Sequence, residues 1–285
     1  MPKIKTSKFT FNCRIKGNPS HPLIVLLHGF PESSIMYEEL MDDLSVMQFY
    51  CIAPDLRGYS PEARPKGKNH YSLEYLVQDV LEIVGQTDHE QFHLIGHDWG
   101  SAIGWKLVHD HPDKILTWTA LSVPHLQSFF HAVHHDKIQK KKSVYIRLFQ
   151  WPWLPEWRIR FNDYIILRKL WRDQSETEIS EYLGIIKQKG ALTSILNYYR
   201  GNFELIKKAS NSQVLGNINP PTLFIWGNKD LAVGRKAAEG THDFIVGPYT
   251  FIEIDAGHWL IQEKYEAIQS EIIKFLKDHS LMNNS

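Results

Sequence analysis

The feature that most constrains this chain is the sequence Gly-His-Asp-Trp-Gly-Ser at residues 96–101. It follows a short apolar run at residues 92–95 and precedes a mostly apolar segment at residues 102–109, so we expect a strand to end here and a helix to begin at once. The two glycines of the turn permit a close backbone approach that a side chain would block. Such a turn holds its central residue, Asp98, out of the sheet, where serine hydrolases carry a serine.

An aspartate at the apex of this turn changes the chemistry that is expected there. The chain has no Gly-x-Ser-x-Gly sequence that would compete with it. A carboxylate can displace a leaving group from carbon and form an ester that water must later cleave. This chemistry suits epoxides and alkyl halides better than amides. The alternative is that Asp98 only caps the following helix, since Asp is favoured at helix starts, but the partners described below favour a catalytic role.

Strands and helices alternate along most of the chain. Apolar runs predict strands at residues 8–15, 23–27, 49–53, 92–95, 115–123, 221–226 and 249–254. Helical spacing is found at residues 37–47, 71–84, 102–109 and 265–278. This alternation indicates βαβ units and therefore an α/β fold with a mostly parallel central sheet flanked by helices.

The pattern changes between residues 126 and 213. The β-rich runs stop, amphipathic helical spacing replaces them, and basic residues accumulate, as in the run of three lysines at 140–142. We interpret this segment as a helical cap inserted after the sixth strand and placed over the sheet. The predicted domains are a core of residues 1–125 and 214–285 and a cap of residues 126–213. Basic runs of this kind usually form a solvated face.

Four candidate site residues come just after predicted strands. They are Asp98, Asp230, His258 and Phe30, the last in a His-Gly-Phe-Pro loop that can aim backbone N–H groups at a site. Because the carboxyl ends of parallel strands meet in a shared crevice, these residues are expected to converge. Their order along the chain, nucleophile, acid and then histidine, is the order found in α/β-hydrolases.

The chain closely resembles the α/β-hydrolase superfamily and, within it, the epoxide hydrolase branch related to haloalkane dehalogenases. The resemblance covers nearly the whole chain and implies the α/β-hydrolase fold. It rests on five motifs, which are His-Gly-Phe-Pro-Glu at 28–32, Asp-Leu-Arg-Gly at 55–58, Gly-His-Asp-Trp-Gly at 96–100, Trp-Gly-Asn-Lys-Asp at 226–230 and Gly-His-Trp at 257–259. The turn with Asp-Trp is specific to this branch.

The resemblance also assigns roles within the site. It implies that Asp98 is the nucleophile, that Asp230 is the charge-relay acid and that His258 is the base that activates water. The backbone N–H groups of Phe30 and Trp99 are implied to form the oxyanion hole. In this scheme Asp98 attacks carbon, and His258 then removes a proton from water so that the ester is cleaved.

Opening an epoxide leaves an alkoxide, which needs a proton donor such as a tyrosine with its pKa of about 10. Epoxide hydrolases carry two cap tyrosines for this purpose. The sequence Asn-Tyr-Tyr-Arg at 197–200 matches the family's Asn-aromatic-Tyr-Arg segment and assigns one role to Tyr199. Aligning residues 145–152 with the family's Leu-Tyr-Phe-Gln-x-Pro segment places Leu148 at the other position. Tyr145, one helical turn earlier, is the candidate second proton donor.

We therefore predict a hydrolase that opens epoxides to vicinal diols. Trp151, Trp153 and Trp157 are expected to make the inner surface of the cap aromatic, which would suit a small apolar substrate. One alternative is a haloalkane dehalogenase that uses the same Asp98 and His258, with Trp99 as a halide donor. Another is a module that binds or senses a small molecule with little turnover.

The totals exclude some other classes of partner. Formal net charge is zero and the pI is near 7.3, so the totals suggest neither nucleic acid nor an anionic membrane. No stretch reaches the ~18 apolar residues of a membrane span, the start lacks a secretory apolar core, and Cys13 and Cys51 are expected to be reduced. We expect a cytoplasmic location and no cofactor, and we make no prediction of oligomeric state.

Two smaller groups of residues are further candidates for a site. His131, His134 and His135 share a helix face, but no matching partner cluster is apparent and no metal is predicted. Asp55 and Arg57 are expected to fix their loop by an ion pair rather than to act in catalysis.

Overall fold

The computed structural model describes residues 1–209 and 213–280. The predicted cap range includes residues 210–212 and the predicted core range includes residues 281–285, and both of these short stretches lie outside the described residues. Among the described residues, no helix combines the length and the apolar character needed to cross a membrane.

In the part of the chain that the structure describes, eight strands form one sheet, in the order β1-β2-β4-β3-β5-β6-β7-β8. The strands are β1 Lys3–Lys5, β2 Thr10–Lys16, β3 Leu23–Leu27, β4 Tyr50–Pro54, β5 Phe92–His97, β6 Ile115–Leu121, β7 Thr222–Gly227 and β8 Tyr249–Ile254. Six of them, from β4 across to β8, pair in parallel, while β1 and β2 are antiparallel. The predicted mostly parallel sheet is therefore confirmed. The short edge strand β1 was not predicted, because three residues are too few to show an alternating pattern.

Thirteen α-helices surround the sheet within the described residues. They are α1 Glu38–Val46, α2 Leu73–Val84, α3 Trp99–Asp110, α4 Leu126–His135, α5 Lys137–Lys142, α6 Val144–Leu148, α7 Leu154–Leu170, α8 Glu176–Ile186, α9 Ala191–Gly201, α10 Phe203–Lys208, α11 Arg235–Glu239, α12 Leu260–Glu263 and α13 Tyr265–Ser280. The predicted flanking helices are thus present, each within a few residues of its expected bounds.

The core lies on both faces of the sheet. The central strands are buried along their whole length; β3, for example, is Leu-Ile-Val-Leu-Leu with every side chain buried. Alternate residues of β3 enter opposite clusters, with Leu23 and Val25 on one face and Ile24 and Leu26 on the other. Continuous apolar runs are typical of parallel strands that are covered by helices on both sides.

The seven helices α4 to α10 lie between β6 and β7, where the sequence predicted a helical segment. We call this segment, residues 126–208, the helical insertion. It is attached to the rest of the chain by buried and partly buried polar contacts. The Tyr198 hydroxyl donates a hydrogen bond to the Arg57 carbonyl at 2.7 Å, and Arg14 forms an ion pair with Glu181 at 2.6 Å.

The prediction of an ion pair between Asp55 and Arg57 is wrong. The Arg57 guanidinium instead binds both carboxylate oxygens of Asp79 in α2, at 2.5 and 2.6 Å, and both side chains are buried. Asp55 accepts hydrogen bonds from the backbone N–H and the hydroxyl of Ser34. Proximity along the sequence was misleading here, because a long arginine side chain can reach a partner that the fold brings near.

Candidate active site

Asp98 lies at the turn between β5 and α3, in a conformation that few residues adopt. Its backbone has φ 51° and ψ −116°, and a non-glycine residue in such a region costs about 1–3 kcal/mol. The turn packs very closely on neighbouring backbone, and this requires glycine at position 100. A Cβ atom on Gly100 would lie 1.9 Å from the Leu27 carbonyl oxygen, so only glycine fits there. The predicted tight turn, which holds Asp98 out of the sheet, is therefore present, and its apex is buried.

Asp230 and His258 follow β7 and β8, and the fold brings both to Asp98. The Nδ1 atom of His258 donates to Asp230 Oδ2 at 2.7 Å, and its Nε2 atom lies 3.4 Å from Asp98 Oδ2. All three side chains are buried, with Asp230 fully enclosed. The three residues predicted as a triad thus occupy one connected group.

The second oxygen of Asp230 fixes this group to the backbone. Asp230 Oδ1 accepts hydrogen bonds from the N–H groups of Ala232 at 2.6 Å and Val233 at 2.9 Å. The carboxylate therefore has a set orientation, and the hydrogen bond to Nδ1 leaves His258 Nε2 directed toward Asp98. An imidazole held in this way can accept a proton on Nε2.

Opposing effects act on the pKa values of this buried group. Burial alone would raise the pKa of Asp98, but the hydrogen bond and charge of His258, with help from His97 and the Phe30 N–H, lower it below its usual value. Burial would lower the pKa of His258, but the Asp230 and Asp98 carboxylates raise it well above its usual value. Any change that neutralises Asp98 therefore makes Nε2 of His258 more readily deprotonated.

The two predicted oxyanion donors flank Asp98. The Phe30 N–H donates a hydrogen bond of 2.6 Å to Asp98 Oδ1, across a loop in which the Phe30–Pro31 peptide bond is cis. This loop approaches closely because residue 29 is glycine; a Cβ there would lie 2.3 Å from Asp98 Cβ. The Trp99 N–H belongs to the first turn of α3, where backbone donors have no acceptor within the helix.

A second polar group lies buried behind the first, and the sequence interpretation missed it. His97 Nδ1 lies 3.2 Å from Glu32 Oε2, and His97 Nε2 lies 2.9 Å from the carbonyl oxygen of His258. Gln174, from the helical insertion, donates to Glu32 Oε1 at 3.1 Å. Burial raises the pKa of Glu32, while His97 opposes that effect. The sequence signal for this group is Glu32, the glutamate that ends the His-Gly-Phe-Pro-Glu motif.

Two cavities meet at Asp98. The larger, of about 400 Å³, is lined by Phe30, Phe149, Leu167, His258 and Trp259 among others, and the smaller, of about 60 Å³, lies toward Leu126 and Phe130. Asp98, Tyr145 and Tyr199 line both of them. The carboxylate and the two tyrosines therefore occupy the junction of an otherwise mostly apolar space.

Tyr145 and Tyr199 stand together at this junction. Their ring centroids are 5.8 Å apart, and the Tyr199 ring lies 5.1 Å from Trp99. Burial, and then the nearby Asp98 carboxylate, raise the pKa of both phenols, so both are neutral hydrogen-bond donors. Leu148, which the sequence alignment placed at the second tyrosine position, is 53% exposed at the outer side of the larger cavity.

The expectation that three tryptophans line the inner surface is wrong for two of them. Trp151 and Trp153 are 62% and 81% exposed and do not line either cavity. Trp157 does line the larger cavity, although it is 63% exposed. Trp151 and Trp153 belong to the turn between α6 and α7, where no helical periodicity indicates which way a side chain points.

The three histidines considered as metal ligands form no such site. The rings of His131 and His135 pack with centroids 4.5 Å apart, and His134 Nε2 lies 2.8 Å from the Ile206 carbonyl oxygen. Within residues 1–209 and 213–280, no group of three or more His, Cys, Asp or Glu residues is arranged to hold a metal ion.

Comparison with known proteins gives a consistent result. A family model described as alpha/beta hydrolase fold matches residues 22–156. AB hydrolase superfamily protein YfhM of Bacillus subtilis is 32% identical over 281 residues, covering 96% of this chain and 97% of that protein. Human epoxide hydrolase 4 is 28% identical over 290 residues, covering 98% of this chain and 78% of that protein.

The structural comparison agrees with the sequence comparison. The crystal structure of Bacillus megaterium epoxide hydrolase in complex with an inhibitor superimposes with a TM-score of 0.88 and 25% sequence identity. The alignment covers 97% of this chain and 100% of the Bacillus megaterium chain. The similarity therefore includes both the sheet and the helical insertion.

Proposed function

This chain belongs to the α/β-hydrolase superfamily, and from that premise we propose that it is an epoxide hydrolase that works through a covalent ester on Asp98. The observation that carries the proposal is the junction of the two cavities, where Asp98, Tyr145 and Tyr199 face the same space. Epoxide opening requires attack on carbon and protonation of oxygen. A nucleophile and two phenolic donors that line the same cavity can supply both.

In the first step, an Asp98 oxygen forms a bond to one epoxide carbon while the ring C–O bond breaks. The released oxygen takes a proton from the phenol of Tyr199 or Tyr145. The Asp98 carboxylate contributes to the raised pKa of both phenols, and that contribution disappears when the carboxylate becomes an ester. The phenols thus become better acids as the proton is needed.

In the second step, His258 removes a proton from water, and the resulting hydroxide adds to the ester carbonyl carbon. The negative charge that develops on the carbonyl oxygen is stabilised by the Phe30 N–H, which already binds Asp98 Oδ1, and by the Trp99 N–H. Esterification of Asp98 also removes one of the charges that raise the pKa of His258. Collapse of the adduct expels the diol oxygen, which takes its proton from His258, and leaves Asp98 as a carboxylic acid. Asp98 then loses this proton to solvent and the tyrosinate takes one from solvent, which restores both groups.

The substrate is proposed to be a small apolar epoxide. The larger cavity has a volume of about 400 Å³ and a lining of mostly aliphatic and aromatic side chains, so apolar groups are favoured there. In this proposal the predicted range 126–213 acts as the cap that covers the site, and residues 1–125 and 214–285 form its core.

A paired assay tests this function. We expect purified protein to convert a styrene oxide to its diol and to release no halide from brominated alkanes. Halide without diol would instead support a dehalogenase that uses the same Asp98 and His258. Neither product from a broad set of both classes would support the binding or sensing alternative.

The ester is tested separately with the substitution His258→Gln. This variant should still attack the substrate but fail to hydrolyse the ester, so intact-protein mass spectrometry should detect an adduct whose peptide maps to Asp98. Asp98→Asn/His258→Gln is the matched control and should gain no mass. An unmodified His258→Gln protein, after long incubation with a substrate that the wild type turns over, would rule out the two-step scheme.

A further inference from the structure

The outer face of the helical insertion carries a group of large apolar side chains that are mostly exposed. Leu148, Trp151, Trp153, Leu154, Trp157 and Phe161 are each more than half exposed. They come from one stretch of chain, the end of α6, the turn after it and the first half of α7. The Trp157 and Phe161 rings lie 5.8 Å apart, which joins the two halves. Exposed apolar surface of this extent marks an interaction site.

Three arginines, Arg147, Arg158 and Arg160, are exposed in the same stretch. Across residues 1–209 and 213–280, none of the three guanidinium groups has a hydrogen-bond or ion-pair partner. The one acidic residue of the stretch, Glu156, is buried and bound by Arg200 at 2.7 Å. We call the six apolar residues and these three arginines the Trp-Arg surface. It is apolar and positively charged, with no exposed carboxylate of its own.

The most exposed tryptophan of this surface has an unfavourable backbone. Trp153 has φ 61°, a region that bulky residues rarely adopt, yet its side chain is 81% exposed and gains little packing in return. Asn162, Asp163 and Tyr164, just beyond Phe161, also have positive φ values and interrupt α7. The segment thus keeps an irregular backbone that presents its tryptophan outward.

We propose that the Trp-Arg surface docks on an anionic phospholipid bilayer. Tryptophan prefers the level of lipid headgroups, and each exposed arginine is attracted to anionic lipids. A second copy of this chain fits the surface less well, because a two-fold contact would bring the same arginines together without a carboxylate to pair with them. The zero net charge of the whole chain does not oppose docking, since attraction to lipid depends on the local surface.

The Trp-Arg surface lies at the outer part of the larger cavity. Leu148, Leu154, Trp157 and Arg158 belong to the Trp-Arg surface and also line the larger cavity that leads to Asp98. A docked molecule would therefore open this cavity toward the bilayer, and apolar epoxides dissolved in lipid would enter without crossing water. This route of entry rests on the proposed function, whereas docking itself does not.

Cosedimentation with vesicles tests docking without any turnover. Wild-type protein is expected to sediment with vesicles of phosphatidylcholine and phosphatidylserine, and more weakly with phosphatidylcholine alone. Arg147→Gln/Arg160→Gln should weaken binding about 30-fold, at about fivefold for each charge, and Arg147→Lys/Arg160→Lys should restore it. Trp151→Ala/Trp153→Ala should weaken binding at least about tenfold. None of the four substituted residues lines the larger cavity, so diol formation in solution should persist.

The matched control is Lys274→Gln/Lys277→Gln, which removes two exposed charges from α13, a helix that packs on the sheet. It should bind vesicles like the wild type. Absence of sedimentation with both vesicle types, or equal loss in the control, would overturn the proposal. A dimer in light scattering that the tryptophan substitutions dissociate, in a protein that does not bind vesicles, would assign the surface to self-association instead. If vesicle binding holds while no diol forms, docking stands and the proposed function fails.

Discussion

Asp98, Asp230 and His258 lie beyond the ends of β5, β7 and β8, whereas Tyr145 and Tyr199 reach the same cavity from α6 and α9 of the helical insertion. The strand-end residues are held by hydrogen bonds from backbone, as in the two N–H groups that bind Asp230 Oδ1. The two tyrosines are held by ring packing against aromatic neighbours. The strand-end residues are therefore oriented by hydrogen bonds, and the two tyrosines are oriented by packing.

One ion pair connects several parts of the helical insertion around Tyr199. Arg200, next to Tyr199 in α9, binds Glu156 with two hydrogen bonds of 2.7 and 3.0 Å and also donates to the carbonyls of Phe149 and Trp151. These contacts join α9 to the turn that follows Tyr145. The strand-end residues need no such connection, because the register of the sheet sets their positions.

The largest effect is expected from Asp98→Asn. The amide is close in shape to the carboxylate but is not a nucleophile, so diol formation should fall at least about 10⁴-fold, in the range seen when a nucleophile is removed. Initial rates of diol formation measure this, and an unchanged thermal unfolding midpoint would show that the fold is intact. Residual activity within tenfold of wild type would mean that water attacks the epoxide directly, without an ester.

The same contrast explains what the sequence could predict. The strand-end residues follow apolar runs and glycine turns, which are local patterns, so Asp98, Asp230 and His258 could be placed at one sheet edge in advance. The Glu32 and His97 pair was missed because only tertiary packing buries it. In the helical insertion, short helices and irregular turns give little periodicity. The inward direction of Tyr145 and the outward direction of Trp153 therefore could not be read from spacing.

A smaller effect is expected when the phenols are removed. Tyr199→Phe and Tyr145→Phe should each lower the rate of epoxide opening by about 10²-fold, which is a typical contribution of one general acid. The aromatic packing is retained in both variants, so substrate binding should change little. The loss should lie in the rate constant of ester formation, measured in single-turnover experiments.

The double variant distinguishes shared from separate roles. If both phenols can protonate the same alkoxide, each single variant keeps one donor. The double variant should then raise the activation free energy of ester formation by more than the sum of the two single increases. For any alkyl halide that the protein accepts, the single changes should matter far less, since halide leaves without a proton. Equal losses on epoxide and halide would count against a role in proton donation.

A third effect concerns stability more than chemistry. Arg200→Leu leaves Glu156 buried without its partner, which should destabilise the fold by about 3 kcal/mol, as for other buried pairs that lose one member. Thermal unfolding should show a Tm lowered by roughly 5–10 °C. Glu156→Leu/Arg200→Leu removes both charges and should recover much of the loss. If the double variant is no more stable than Arg200→Leu, the arginine's bonds to the Phe149 and Trp151 carbonyls matter more than the ion pair.

The smallest effect is expected at Leu148. It shares α6 with Tyr145, but it is 53% exposed at the outer part of the cavity, while Tyr145 lies beside Tyr199 and Asp98. Leu148→Ala should therefore change the single-turnover rate of ester formation by no more than about twofold, because it removes apolar contact and no proton donor. Any change should appear in KM for long apolar epoxides. Leu148→Tyr is the matched test of the alternative register, and it should not rescue Tyr145→Phe. Rescue would show that a phenol at position 148 can swing inward, and that the donors on the helical side are interchangeable in a way that the strand-end residues are not.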